Sequence, residues 1–256
     1  QGAGIQALAE NGKFGDKLAV IGSAGNEATY ESTIKPILDA AGITPIDVAY
    51  VDSSSGDAEI IYAQEETISE RFKSDGAEQV LVIDSGLAVA LAVGLARTDF
   101  RPQLLFSNVS GATSFIDGSG SELSLMEGAL TGGVYDSSND FLTLDGPTAD
   151  CVANQTAAGI ELQHDADLPE ETPSKQYLSS LTACRNIALL VAILEKAGPE
   201  LNYGTFTTAG YSLGAITLAG VPGEWHFGPR PDTDGNPPVY VYAFDAATST
   251  MVRQDA

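Results

Sequence analysis

An α/β fold with an open, mostly parallel sheet and helices on both faces is predicted by three features of this sequence. Short apolar runs alternate with stretches of helical periodicity through the first half. The runs are apolar at nearly every position, as in parallel strands covered on both sides. Each ends in a small polar turn, at the edge where such sheets bind ligands.

The elements follow in order. Residues 17–21 (KLAVI) predict the first strand, ending in Gly22-Ser23-Ala24-Gly25-Asn26. Ile34, Ile37, Leu38 and Ala41 predict a helix closed by Gly42, with Pro36 forcing a kink or a late start. Residues 48–51 predict the second strand, followed by the turn Asp52-Ser53-Ser54-Ser55-Gly56-Asp57. The next helix carries Ile61, Ile68 and Phe72 on one face and stops at Asp75-Gly76. Residues 80–83 and 104–106 predict two further strands, ending at Asp84-Ser85-Gly86 and Ser107-Asn108, with a helix over 87–97 between them. Residues 111–122 read as a loop or short helix, and 130–135 as a strand that crosses out of the first sheet. Residues 183–197 (ACRNIALLVAILEKA) form the strongest helical stretch, apolar almost all round and so expected to be buried. Residues 215–218 and 240–244 read as strands on either side of the turn-rich segment 220–238.

Composition narrows the function. The chain has 256 residues, enough for one large domain or two modest ones. Twelve Lys and Arg stand against 35 Asp and Glu, a net charge of -23, which argues against phosphate-backbone binding and attraction to anionic lipid. This acidity, with scarce lysine, points to a salty or extracellular setting. No run of about 18 uncharged apolar residues spans a membrane. Gln1-Gly2-Ala3-Gly4 carries no basic and apolar leader, and the chain begins one short helix before a buried strand, so a fragment or processed form is expected. Cys151 and Cys184 fit no zinc spacing. They are either two buried thiols or, in an exported protein, one disulfide within the second half.

The catalytic inventory is nearly empty. Gly210-Tyr211-Ser212-Leu213-Gly214 matches the nucleophile-elbow pattern of serine hydrolases, but a strand-like stretch follows Ser212 where a helix belongs. Gly22-Ser23-Ala24-Gly25 sits where a phosphate loop would, without the lysine, and reads as a tight turn or a carboxylate-binding loop. Asp232-Thr233-Asp234-Gly235-Asn236 begins like a calcium loop but lacks the distal Glu. Two histidines, His164 and His226, are too few for a histidine-based metal site. No cofactor is implied. An α/β sheet with polar strand ends and no catalytic set points to binding.

The order of KLAVIG, VAYVDSSSGD, DGAEQVLVI, LARTDFRPQLLFSN, MEGALTGGVY, CRNIALLVAILEKAG and GEWHFGPRPDTDG resembles the type I periplasmic-binding-protein fold. The nearest branch is the leucine/isoleucine/valine-binding family of ABC-transporter solute receptors. The resemblance implies two lobes closing on a ligand. Residues 1–130 and 239–256 would be the second, C-terminal lobe. Residues 131–238 would be the returning part of an incomplete first lobe. It also implies exposed apolar surface on 183–197, and through it a homodimer.

The resemblance further implies a ligand set of Ser23, Asn26, Tyr30, Asp84, Ser85, Asn108 and Glu127. Glu127 would receive a ligand ammonium and Tyr30 would supply an aromatic contact. Asp84-Ser85, where an aromatic residue is usual, implies a more polar ligand than a branched-chain amino acid. Arg185 and Tyr177 read as structural. The expected function is capture of a small polar solute, an amino acid or similar, for a membrane permease. The expected location is periplasmic or extracellular, with a lipid anchor through a missing N-terminus. A sensory ectodomain of the same fold is the first alternative, and a hydrolase using Ser212 the second.

Overall fold

The computed structural model describes residues 2–119, 122–133, 146–162, 177–221, 223–228 and 239–254. The chain divides into two compact units, Gln1–Asp136 with Val239–Ala256, and Ser137–Pro238.

In the first unit, helix α1 (Gly2–Glu10) precedes strand β1 (Leu18–Ser23). A 3-10 turn (Ala24–Asn26) leads into α2 (Glu27–Thr29), a π turn (Tyr30–Ile34) and α3 (Lys35–Ala40). The helix thus starts earlier than its spacing predicts. Pro36 lies in the first turn of α3, and Lys35 N–H bonds to the Tyr30 carbonyl in the widened turn, so the missing proline N–H is absorbed where the register changes. Then come β2 (Asp47–Val51), α4 (Ala58–Ser74), β3 (Gln79–Val82), α5 (Ala88–Ala96), β4 (Gln103–Phe106), α6 (Val109–Ser119) and β5 (Leu130–Gly133). Asp57 caps α4 by accepting from the backbone N–H groups of Glu59 and Ile60, and Arg71 and Lys73 occupy the last turn, matching the helix dipole at both ends.

With β8 (Tyr240–Asp245) and β9 (Thr250–Arg253) from the end of the chain, the sheet order is β2-β1-β3-β4-β5-β8-β9. Strands β1 to β5 are parallel, and β8 and β9 add antiparallel. Alternation sends Leu18, Val20, Leu81, Ile83 and Leu105 to one face, where Ile5 and Leu8 of α1 and Ile34 and Leu38 cover them. Ile21, Val82 and Phe106 go to the opposite face, where Phe106 packs edge-to-face on Phe115 of α6 at 5.6 Å. Strand β5 stays in this sheet over Leu130–Gly133, while residues 134 and 135 of the expected strand lie outside the described residues. Leu130 and Thr131 pair with β4, and all four residues pair with β8.

In the second unit, α7 (Gly146–Ala157), α8 (Tyr177–Ala197) and α9 (Tyr203–Tyr211) precede the hairpin β6 (Gly214–Thr217) and β7 (Glu224–Phe227). Strand β7 lies within 220–238, a segment whose composition predicts turns. Cys151 and Cys184 form a disulfide joining α7 to α8. Beside it lie Tyr177, Leu181 and Ala219, the unit's buried cluster. Helix α8 is not the buried helix that its composition predicts. Ile187 is 62% exposed, and Leu190 and Val191 are exposed with it, because α7 and α9 pack against other sides of the helix.

The surface explains the charge. Lys17, Lys35, Arg71, Lys73 and Arg97 each pair with a carboxylate, all at partly exposed positions. Such pairs stabilise little. The remaining acids repel one another. Raising NaCl from 0.1 to 1 M shortens the screening length from about 10 to about 3 Å. The melting temperature should rise with it by several degrees in circular dichroism, and a flat or falling curve would contradict this account.

Candidate functional site

Register builds the site. Ile21 pairs with Val82, and Val82 with Phe106. The pairing continues through Ile83 N–H to Ile21 and Ser107 N–H to Val82. Two residues beyond the paired trio, Ser23, Asp84 and Asn108 therefore fall in line across three neighbouring strand ends. All three are half-buried. Asn26, from the turn after β1, ties two of them together. Its Nδ2 donates to Asp84 Oδ2 at 2.7 Å and to Ser23 Oγ at 3.1 Å. Asp84 Oδ1 accepts from Gly86 N–H at 2.8 Å, and Asn108 Oδ1 from Gly111 N–H at 2.8 Å. Ser85 opens the 3-10 turn Ser85–Leu87, and its Cα faces Gly111, where a Cβ would stand 3.6 Å away.

These bonds orient the side chains without using them up. A carboxylate has about four acceptor sites, and one protein donor reaches each Asp84 oxygen. Asp84 makes no ion pair among the described residues. Across these three strand ends Asp84 is the one carboxylate, beside neutral hydroxyl and amide groups. This edge suits a ligand end rich in hydrogen-bond donors, such as an ammonium, an amide or hydroxyls.

Two expected ligand residues lie elsewhere. Tyr30 is 4% exposed and belongs to the core under α1 and α3, packed edge-to-face on Tyr50 at 6.5 Å. Burial, with Glu31 nearby, raises its pKa. The π turn carries its ring inward, so it cannot offer an aromatic wall at the strand ends. Glu127 is exposed, but it precedes β5, and β5 runs parallel to β4, so it lies at the amino edge. An amide chain marks that edge. Gln79 Nε2 donates to Gln103 Oε1 at 2.6 Å, and Gln103 Nε2 to the Gly128 carbonyl at 2.8 Å. Five residues of strand separate Gln79 from Asp84, about 16 Å. Glu127 therefore does not join the set. The signal for the rest was visible: Asp84 and Asn108 are each followed by a glycine whose amide they accept, the pattern of side-chain turns.

The other motifs resolve as turns. Ser212 ends α9 and precedes β6, the reverse of a nucleophile elbow, and its Oγ donates to the Thr208 carbonyl at 2.8 Å. Residues 24–34 form short 3-10, α and π turns, not one long helix offering an anion-binding end. The fourth strand-end turn is self-contained: Asp52 accepts from Ser54 N–H, while Gln64 bonds both backbone groups of Asp52. His226 is exposed on β7. Arg185 donates to Thr182 Oγ1, and Tyr177 lies in the buried cluster beside the disulfide. His164 and the loop Asp232–Asn236 lie outside the described residues. Among the described residues no group of His, Cys, Asp or Glu could hold a metal ion, and no helix is long and apolar enough to cross a membrane.

The sequence matches no protein-family model and no curated protein. Solved structures do match. A solute-binding protein of an ABC transporter from R. palustris, in complex with 4-hydroxybenzoate, aligns over 100% of this chain and 64% of its own at 15% identity and TM-score 0.64. A branched-chain amino acid ABC transporter protein from Thermus thermophilus with bound valine aligns over 99% of this chain and 64% of its own, at 18% identity and TM-score 0.62. A substrate-binding periplasmic protein from Ralstonia solanacearum aligns over 99% and 66%, at 12% identity and TM-score 0.66. The chain spans less than two thirds of each of these proteins. At such identities the likeness carries the fold alone, and that fold is the one the strand order and polar strand ends describe: this chain has the type I periplasmic-binding-protein fold.

Proposed function

We propose that this chain belongs to an exported solute receptor that captures a small polar ligand for an ABC-transporter permease. The carboxyl edge of its first unit takes the donor-rich end of that ligand. The observation that carries this reading is the line of Ser23, Asp84 and Asn108 across three parallel strand ends, with Asn26 holding Asp84 in place. Ser85 completes the set. The first unit, residues 1–136 with 239–256, would be the ligand lobe. The Cys151–Cys184 disulfide fits an oxidising periplasmic or extracellular compartment.

The edge also discriminates between ligand classes. One solved neighbour holds an aromatic acid and another an amino acid. A ligand carboxylate beside Asp84 would meet a like charge. An ammonium or amide there gains a charge-assisted hydrogen bond. An amino acid or amide is therefore favoured over an aromatic acid at this edge. No covalent chemistry is called for.

A calorimetric screen of amino acids, amides, short peptides, aromatic acids and sugars tests the reading. The ligand that binds should lose about 1.5–3 kcal/mol in Asp84→Ala, the usual worth of a hydrogen bond to a charged group. Glu127→Ala should leave the affinity unchanged. A ligand indifferent to Asp84→Ala, or lost in Glu127→Ala, would move the site away from this edge.

A further inference from the structure

The helix layer over one face of the first sheet contains a group that the ligand edge does not use. Glu65, in the middle of α4, is 0% exposed, and neither carboxylate oxygen has a hydrogen-bond partner among the described residues. Opposite it, α5 carries Gly94. A Cβ there would stand 2.8 Å from the Glu65 Cβ and 3.3 Å from the α4 backbone. The two helices therefore meet at close range with the acid between them, leaving no room for a solvating shell. On the same face of α5, one turn before Gly94, lies the small buried Ala90.

Among the described residues no neighbouring charge holds the carboxylate. Residues 88–96 of α5 carry no titratable side chain, nor do those of β1 and β3. Arg97, past the end of α5, pairs with Glu59 and lies over the Tyr62 ring. On β2, Asp47 pairs with Arg71, and Tyr50 is a neutral phenol pushed up to about 12 by burial. On α4 itself, Glu70 and Lys73 pair with each other, and Lys73 also reaches Asp99. Glu66 lies beside Glu65 in the chain, half-buried. Burial alone raises the Glu65 pKa, from 4.5 to about 8.

We propose that Glu65 makes the α4–α5 layer a proton-operated closure, shut while its carboxyl is neutral and opened to water when it ionises. The sign follows from linkage. Below pH 4.5 the acid is protonated in both the closed and the opened layer, and pH has no effect. Between 4.5 and about 8 only the opened layer releases the proton, so alkali favours opening. The opening constant then rises about tenfold per pH unit across that window. The α5 end of the layer follows directly on Ser85–Leu87, so opening also reaches the turn beside Asp84.

Peptide-resolved hydrogen exchange of the full chain at pH 5.5, 6.5 and 7.5, corrected for the intrinsic pH dependence of amide exchange, tests this closure. Peptides covering 58–74 and 85–96 should show opening constants rising about a hundredfold over those two units. The same peptides of Glu65→Gln should show a flat profile, and peptides of the second unit should not change in either protein. A profile shared by the wild type and the variant would overturn the proposal. If Glu65→Gln does not fold, carbon-13 titration of the Glu65 carboxyl in the wild-type protein decides. A midpoint near 8 supports the closure, and one near 4.5 overturns it.

Discussion

Gly132→Val will strip α1 from the sheet. A Cβ at Gly132 would stand 2.1 Å from the Gly4 carbonyl oxygen, 2.6 Å from its carbon and 2.7 Å from its Cα. From the other side, a Cβ at Gly4 would meet the carbonyl oxygens of Gly132 and Ser107 at 2.5 Å. All these atoms are backbone, so no side chain can swing aside to make room. The helix must lift, and with it go Ile5 and Leu8, both fully buried against the sheet. Exposing two such side chains costs about 3–6 kcal/mol at the usual worth of aliphatic burial. That is a large share of the stability of an ordinary domain. Urea unfolding followed by circular dichroism should show a first unit less stable by at least about 3 kcal/mol, and Gly132→Ala should move in the same direction. The single tryptophan, Trp225, lies on β7 in the second unit, so its fluorescence should not follow the same loss. A valine variant within about 0.5 kcal/mol of the wild type would contradict the packing described here.

Opening the Cys151–Cys184 disulfide will weaken the second unit to a comparable degree. The bond spans 33 residues and joins α7 to α8. By loop-closure entropy it stabilises by about 3–4 kcal/mol. Among the described residues of this unit the buried packing is sparse. The buried cluster beside it consists of Tyr177, Leu181 and Ala219, while the apolar stripe of Ile187, Leu190 and Val191 faces solvent. Reduction, or the pair Cys151→Ser with Cys184→Ser, should lower the urea midpoint reported by Trp225 fluorescence. The first unit contains no cysteine, so its transition should stay in place. Identical fluorescence midpoints for the oxidised and reduced protein would show that packing, not the cross-link, holds α7 to α8.

The strands over 17–21, 48–51, 80–83 and 104–106 were legible because periodicity and turn chemistry are local. A continuous apolar run closed by Asp-Ser-Gly or Ser-Asn contains its own instruction. The same locality exposed Ser23, Asp84 and Asn108 as strand-end residues before any register was known. Net charge and an unsuited nucleophile elbow were likewise properties of the chain as written.

Long-range pairing decided the rest. The π turn that buries Tyr30 is invisible in spacing, since it answers both to Pro36 and to the core beneath α1. Glu127 has the right chemistry for an ammonium. Only the parallel pairing of β5 with β4 reveals that it stands at the opposite edge. Apolar composition all round predicted that α8 would be buried, yet what surrounds a helix is set by its packing partners and not by its own residues. Glu65 reads as one more acid on a polar helix until Gly94 is brought against it. Which elements form, and what their ends are made of, is local information, because a hydrogen-bonded turn or an apolar period involves residues a few positions apart. Which ends meet, and which acids are cut off from water, was decided by the tertiary structure, because register and burial depend on residues far apart in the chain.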